Sequence, residues 1–292
     1  MKQRLLMSIG CILLVWSSGL PIMMSSEPVH PKDTSVDAEE TAYWAVIVST
    51  NVSNMTFVYN TLLATKNWDA SHMLLLEKQA ATRANILDAL DWLAEQSSSE
   101  DMVLFSHNGH GSHVDNRYGI VPWDDHQVIF TDELDEKFDR IACKQLCLIF
   151  DCCFSGSFID GRPSTLSHLG GRKFQTMMAA GLDEPGRFIM MSTMKRGTGI
   201  YTEVQIDNQS LVIDFIRFFT QGINEGNDPN GDGWISAEES YKYGRKKYLP
   251  YAMLLFFSPL VQLTSLLISG TIAMPFPTCF DGVEGELLLV QL

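Results

Sequence analysis

Two stretches decide the fold: Met102–Ser112, MVLFSHNGHGS, and Gln145–Ser157, QLCLIFDCCFSGS. Each opens as a short continuous apolar run, the pattern of a strand buried on both faces. Each then runs, without a spacer, into glycine and chemically active side chains. Outward from them, strand-like runs (Tyr43–Ser49, His72–Leu76, Phe188–Ser192, Gly285–Val290) are interleaved with helix-like ones (Met55–Ala64, Ala81–Gln96, Asp132–Ile141, Leu211–Ile223). In the second helix Ile86, Leu87, Leu90 and Leu93 share a face at the 3.6 period, with Thr82 as N-cap. Buried strands interleaved with helices predict an α/β fold with a mainly parallel sheet covered on both faces. Ligands of such sheets bind beyond the carboxyl ends of the strands. The sequence puts His110 and Cys153 there.

The chemistry of the pair follows from the residue types. A thiol is a weak nucleophile until deprotonated, and a nearby imidazole favours the thiolate and later protonates a leaving amine. Gly109 and Gly111 flank His110 and let backbone approach a substrate closely. The N–H groups of Cys153 and Gly111 are the candidate oxyanion hole. Two blander readings compete. Cys152 and Cys153 can be core thiols, the common fate of free cysteine. His107, His110 and His113, spaced by three, can be solvated or bind a metal, but the glycines oppose the helix that would align them and no carboxylate completes a zinc site. Catalysis is the expectation, with His107 as the alternative base.

The two motifs, NGHG and DCCFSG, together resemble the catalytic pair of the caspase, metacaspase and legumain clan. ATRANILDALDWLA (residues 81–94) and DGVEGELLL (residues 281–289) are similar to segments of prokaryotic caspase-like and legumain-like peptidases. The resemblance implies a caspase-like three-layer α/β/α sandwich over residues 42–292. It also implies a cysteine endopeptidase with His110 as base and Cys153 as nucleophile. Asp151, two residues before the cysteine, takes the position that faces the pocket for a basic P1 side chain in metacaspase-like enzymes. Legumain-like relatives prefer Asn, and that alternative stays open. Phe154 departs from the His or Glu the family often has after the cysteine. A non-catalytic calcium-binding module on the same fold is the competing hypothesis.

Asp228–Glu239, DPNGDGWISAEE, matches the loop of a helix–loop–helix calcium site. Its ligands would be Asp228, Asn230, Asp232, the Trp234 carbonyl, Ser236 and Glu239, with Gly233 at the sharp turn. Such a Ca²⁺ would be structural, and no organic cofactor is expected. The net charge of −14 over 292 residues argues against nucleic acid as a partner, since phosphate binding needs clustered Lys and Arg. A peptide or protein substrate is expected.

Residues 1–26 read as a signal peptide, with Lys2 and Arg4 ahead of the apolar run Leu5–Trp16. A polar leader, 27–41, follows. The chain is therefore expected to be secreted or extracytoplasmic. Four of the six cysteines crowd around one strand, so they make no disulfide scaffold. Residues 251–277 are strongly apolar and follow Arg245, Lys246 and Lys247. Their length suits a bilayer span, yet Pro259, Gln262 and Gly270 dilute them. Membrane association through this segment, or a buried or surface-lying excursion, are the two readings.

Overall fold

Strand β1 (Tyr43–Ser49) is buried along its whole length, and its alternate side chains enter two different cores. Tyr43, Ala45 and Ile47 face one; Trp44, Val46 and Val48 face the other, as the two-residue period requires. The computed structural model describes residues 41–50, 55–124, 127–159, 181–199, 202–206 and 209–292, which lie within one unit, Glu39–Leu292. The expected signal peptide and, Thr41 apart, the leader lie outside the described residues.

The central sheet has six strands. With β2 (Met73–Glu77), β3 (Met102–Asn108), β7 (Gln145–Asp151), β8 (Arg187–Met191) and β12 (Thr278–Asp281), its order is β12-β8-β7-β3-β1-β2. All neighbours are parallel except β12 on β8. One face is covered by α1 (Thr56–Leu63), α4 (Phe215–Asn224) and α5 (Ala237–Phe256), whose Val58, Phe215, Phe219, Tyr241 and Tyr248 fill the first core. The other is covered by α2 (Arg83–Gln96) and α3 (Thr131–Phe138) through Ile86, Leu90, Leu93, Leu134 and Phe138. This is the expected three-layer sandwich. Thr82 caps α2 by accepting from the Asn85 N–H at 3.2 Å.

Three small sheets sit around the central one. They are a hairpin of β4 (Gly111–Val114) and β5 (Arg117–Ile120) extended by β6 (Ile129–Phe130), a hairpin of β9 (Thr202–Ile206) and β10 (Gln209–Ile213), and a pair of β11 (Trp234–Ser236) with β13 (Leu288–Gln291). Two sequence expectations are corrected here. The helix expected over Leu211–Ile223 starts only after Asp214, because the SLVI run, which ends in β-branched Val212 and Ile213, pairs with β9. Asp214 then caps α4, accepting from the Arg217 N–H at 3.1 Å. The expected last strand, Gly285–Val290, begins later, after Gly285 turns at φ +85°. It pairs with β11 rather than with the central sheet.

Candidate active site

Strands β3 and β7 are neighbours in parallel register, with His107 beside Phe150 and Asn108 beside Asp151. The pairing continues past β3, where the Gly109 N–H donates to the Asp151 carbonyl at 3.2 Å. The two motifs therefore leave the sheet side by side at its carboxyl edge. His110 is exposed at that edge and its carbonyl accepts from the Val121 N–H at 2.9 Å, which ties it to the following hairpin.

Gly111 makes the tightest contact of the site. A Cβ there would stand 1.8 Å from the Cys153 carbonyl oxygen and 3.2 Å from the Cys153 nitrogen. Only glycine permits this approach. It brings the backbone next to His110 against the backbone of Cys153. Backbone hydrogen bonds of Gly199, Cys153 and Gly111, in that order, act on the Cys153 thiol and pull its pKa down. Burial opposes them as the largest influence, with the Asp151 carboxylate adding to it, and the net direction is up. The resting thiol is thus protonated and lies 3.8 Å from the Gly199 carbonyl, toward which it can donate. A thiol held in this form needs a base before it can act as a nucleophile.

The backbone after Cys153 is fixed from both sides. Phe154 is left-handed at φ +64°, a conformation a bulky residue adopts only when its surroundings impose it. Its N–H donates to the Gly197 carbonyl at 2.8 Å. Its buried ring lies 6.1 Å from that of His113 and 6.3 Å from that of Tyr118, beneath the β4–β5 hairpin. The residue that departs from the family pattern therefore packs against the hairpin that carries Gly111. Gly156 meets the 193–195 segment closely, its missing Cβ falling 2.3 Å from the Thr193 carbonyl oxygen.

His107, the alternative base, is fully buried. Its Nε2 is 3.3 Å from Thr50 Oγ1 and its Nδ1 has no hydrogen-bond partner. Burial, reinforced by His110, lowers its pKa to about 3, so it stays neutral. It lies in the interior beneath the site. His113 stacks on Tyr118 at 4.5 Å between ring centroids. Cys152 points into the second core, whereas Cys153 is only half-buried.

Asp151 turns its carboxylate to the amino end of α4, with Oδ2 accepting from the Ile216 N–H at 2.9 Å. Burial raises its pKa, opposed by the Ile216 N–H, Ser192, the Phe215 N–H and Asn108. Asp214, which the sequence reading had placed inside a helix, belongs to the same cluster. Burial and then the Asp151 charge raise its pKa to about 7, against the pull of Arg217. An Asp directly before an apolar helical run is an N-cap signal, and it could have been read from DFIRFF. Half-buried Asp151 and buried Asp214 thus share one helix terminus, where the macrodipole and free N–H groups favour negative charge.

The calcium-type loop lies far along the chain, between α4 and α5. Gly231 and Gly233 are left-handed at φ +75° and +85°. Asp228 accepts from the N–H groups of Gly231 at 2.7 Å and Gly233 at 3.0 Å, and Asp232 from that of Trp234 at 2.8 Å. Ser236 and Glu239 form a reciprocal capping box at the start of α5. The oxygen-rich donor set at the spacing of Asp228, Asn230, Asp232, Trp234, Ser236 and Glu239 fits a hard cation. Its carboxylates here serve the loop's own N–H groups, and among the described residues no three His, Cys, Asp or Glu side chains converge as a metal centre.

Residues 47–162 match the family model of the metacaspase, peptidase C14 domain. Metacaspase-1 of Candida albicans is 29% identical over 142 residues, 42% of this chain and 31% of that protein. Metacaspase-1 of Schizosaccharomyces pombe is 32% identical over 123 residues, covering 37% and 28%. A Trypanosoma brucei brucei protein named inactive metacaspase-4 is 35% identical over 91 residues, covering 27% and 26%. The chain thus spans less than a third of the length of these relatives. A crystal structure of a Geobacter sulfurreducens protein superimposes with a TM-score of 0.51 at 12% identity, over 86% of this chain and 97% of that one, which shows the fold alone. Both motifs lie inside the matched region, so residues 47–162 are similar to the metacaspase, peptidase C14 domain, as the caspase-like architecture of the sheet is.

Proposed function

We propose that the protein is a cysteine endopeptidase acting on peptides or proteins through His110 and Cys153. The observation that carries this reading is the contact of Gly111 with Cys153, which sets two N–H groups about the nucleophile beside the exposed His110. His110 takes the thiol proton, and the thiolate attacks the scissile carbonyl carbon. The oxyanion is held by the N–H groups of Gly111 and Cys153. The imidazolium protonates the departing amine as the C–N bond breaks, leaving a thioester on Cys153. Water, deprotonated by His110, then displaces the thiolate, which recovers its proton, and the carboxylic acid product leaves.

Asp151, supported by Asp214, is the recognition group for a basic P1 side chain. A guanidinium or ammonium beside Asp151 would favour the charged form of both carboxyl groups. A calcium ion in the 228–239 loop would stiffen the connection between α4 and α5, and the residues at 1–26 would direct export. Hydrolysis of fluorogenic peptides with Arg, Lys, Asn or Asp at P1, by wild type and by Cys153→Ala, tests the reading. Cleavage after Arg or Lys that vanishes in the variant supports it. Cleavage after Asn alone removes the role of Asp151. No cleavage by folded, calcium-loaded protein leaves the non-catalytic module.

A further inference from the structure

Helix α6 (Pro259–Ser269, PLVQLTSLLIS) has its polarity turned inside out. None of its residues is buried, and its exposed ones are apolar: Leu260 is 73% exposed, Leu267 76% and Ile268 82%. The end of α5 extends the patch with Leu254 and Phe257, at 72% and 69%. Its inward side is polar and satisfied. Gln262 donates to the carbonyls of Phe256 at 2.8 Å and Ala273 at 3.1 Å and accepts from the Ala273 N–H at 2.9 Å. Ser265 donates to the Thr271 carbonyl at 2.8 Å, and Ser269 to the Ser265 carbonyl at 2.7 Å. Thr264 is the exposed polar exception. A water-facing helix shows the opposite pattern, whereas lipid requires polar groups to be satisfied internally. The exposed apolar area is on the order of 10³ Å², above the few hundred Å² of the largest patch on a typical soluble monomer.

Charge points to the occupant. Residues 248–280 contain no Asp, Glu, Lys, Arg or His. Just before them stand Arg245, Lys246 and Lys247, all exposed, in a chain of net charge −14. At 1.5 Å per residue, Lys246 stands about 12 Å from Leu254 along α5, which matches an apolar tip sunk ~5–10 Å below a headgroup layer that meets the lysines. The 81° bend between α5 and α6 lets α6 lie in that plane while α5 descends to it. Among the described residues no single helix is long and apolar enough to cross a membrane.

The same element touches the active-site backbone. Thr198 bridges to Ala273, and its Oγ1 lies 2.5 Å from Ser265 Oγ. Met194 and Thr198 pair with Met274 and Ile272 through backbone bonds of 3.2 and 3.4 Å. On its other side this segment holds Phe154 through Gly197 and faces the Cys153 thiol through Gly199. We propose that the α5–α6 tip is a monotopic docking surface for an anionic lipid bilayer, which holds the 194–199 segment and the adjacent nucleophile at the membrane surface. The substrates would then be polypeptides close to a membrane, a statement that rests on the peptidase reading, whereas the docking does not.

The test is co-sedimentation of the full chain with vesicles of phosphatidylcholine containing about a third phosphatidylglycerol. Wild type and Cys153→Ala are expected to sediment equally, which separates docking from catalysis. Leu260→Glu/Leu267→Glu should bind at least about tenfold more weakly while keeping its thermal transition and its vesicle-free peptide hydrolysis. Lys246→Gln/Lys247→Gln should lose mainly the preference for anionic over pure phosphatidylcholine vesicles. Wild type that stays in the supernatant overturns the proposal. So does a stable dimer that Leu260→Glu/Leu267→Glu converts to monomer, since the patch would then be covered by a second copy.

Discussion

Replacing Gly111 by alanine perturbs the site at its tightest point. The added Cβ would lie 1.8 Å from the Cys153 carbonyl oxygen, and real Cβ atoms essentially never come closer than 3.0 Å to such an atom. The two backbones must therefore separate by about 1.2 Å, the difference between those distances. Neither neighbour is free to absorb it. The Cys153 side is held by the Phe154–Gly197 bond at 2.8 Å and the Gly111 side by the Val121–His110 bond at 2.9 Å. A displacement near 1 Å at a reacting centre lowers turnover about 10²-fold, and loss of one oxyanion donor lowers kcat by about 10²–10³. The expected result is a fall of kcat/KM in that range on a P1 Arg peptide, carried mostly by kcat, with the protein still folded. Gly186→Ala is the control, since it has φ +82° and open space around it. It should lose about 1–2 kcal/mol of stability and no intrinsic activity. Gly111→Ala activity within twofold of wild type would refute the reasoning.

The carboxylate pair gives two further expectations. Asp151→Asn should lower kcat/KM for basic P1 peptides about 30-fold or more while sparing any Asn cleavage; equal losses on both would assign Asp151 a structural role only. Asp214→Asn keeps the cap on α4 but removes a carboxyl raised from 3.8 to about 7 by burial and by Asp151. The native state holds a proton that the unfolded chain releases, so wild-type stability falls as pH rises from about 4 to about 7. The variant should therefore match wild type near pH 4 and exceed it at pH 8 by up to about 4 kcal/mol, less the lost Arg217 pairing. Urea unfolding at both pH values measures this, and a difference independent of pH would contradict it. Calcium at a hundredfold excess over Kd should add about 2.7 kcal/mol of stability that EDTA removes; an unchanged melting temperature and no calorimetric heat would remove the ion from the account.

The layer architecture was legible because β1, β3, β7 and β8 are buried on both faces and read as unbroken apolar runs. The neighbourhood of His110 and Cys153 was legible because both motifs abut strand ends. Other elements escaped for physical reasons. The β4–β5 hairpin is polar, GSHV and RYGI, and turns through left-handed Asp115 and Asn116 rather than glycine. Strand β12, TCFD, is short and sits on the sheet edge, where only pairing with β8 defines it. Asp214 was hidden because SLVI and FIRFF are both apolar, and their boundary is set by the β9 partner and the cap. The contact of Gly111 with Cys153 joins residues far apart in sequence, and no local pattern encodes such a distance. The inverted polarity of α6 was half visible: the apolar length could be read, but the inward bonds of Gln262 and Ser265 could not.

The central claim is that Cys153, activated by His110, is the nucleophile. Covalent capture tests it most directly. A peptidyl acyloxymethyl ketone with Arg at P1 should attach once per chain at Cys153, as located by peptide mapping, and the labelling rate should collapse in His110→Ala. Label on Cys152 or Cys279, or labelling of Cys153 at an unchanged rate without His110, would contradict the account.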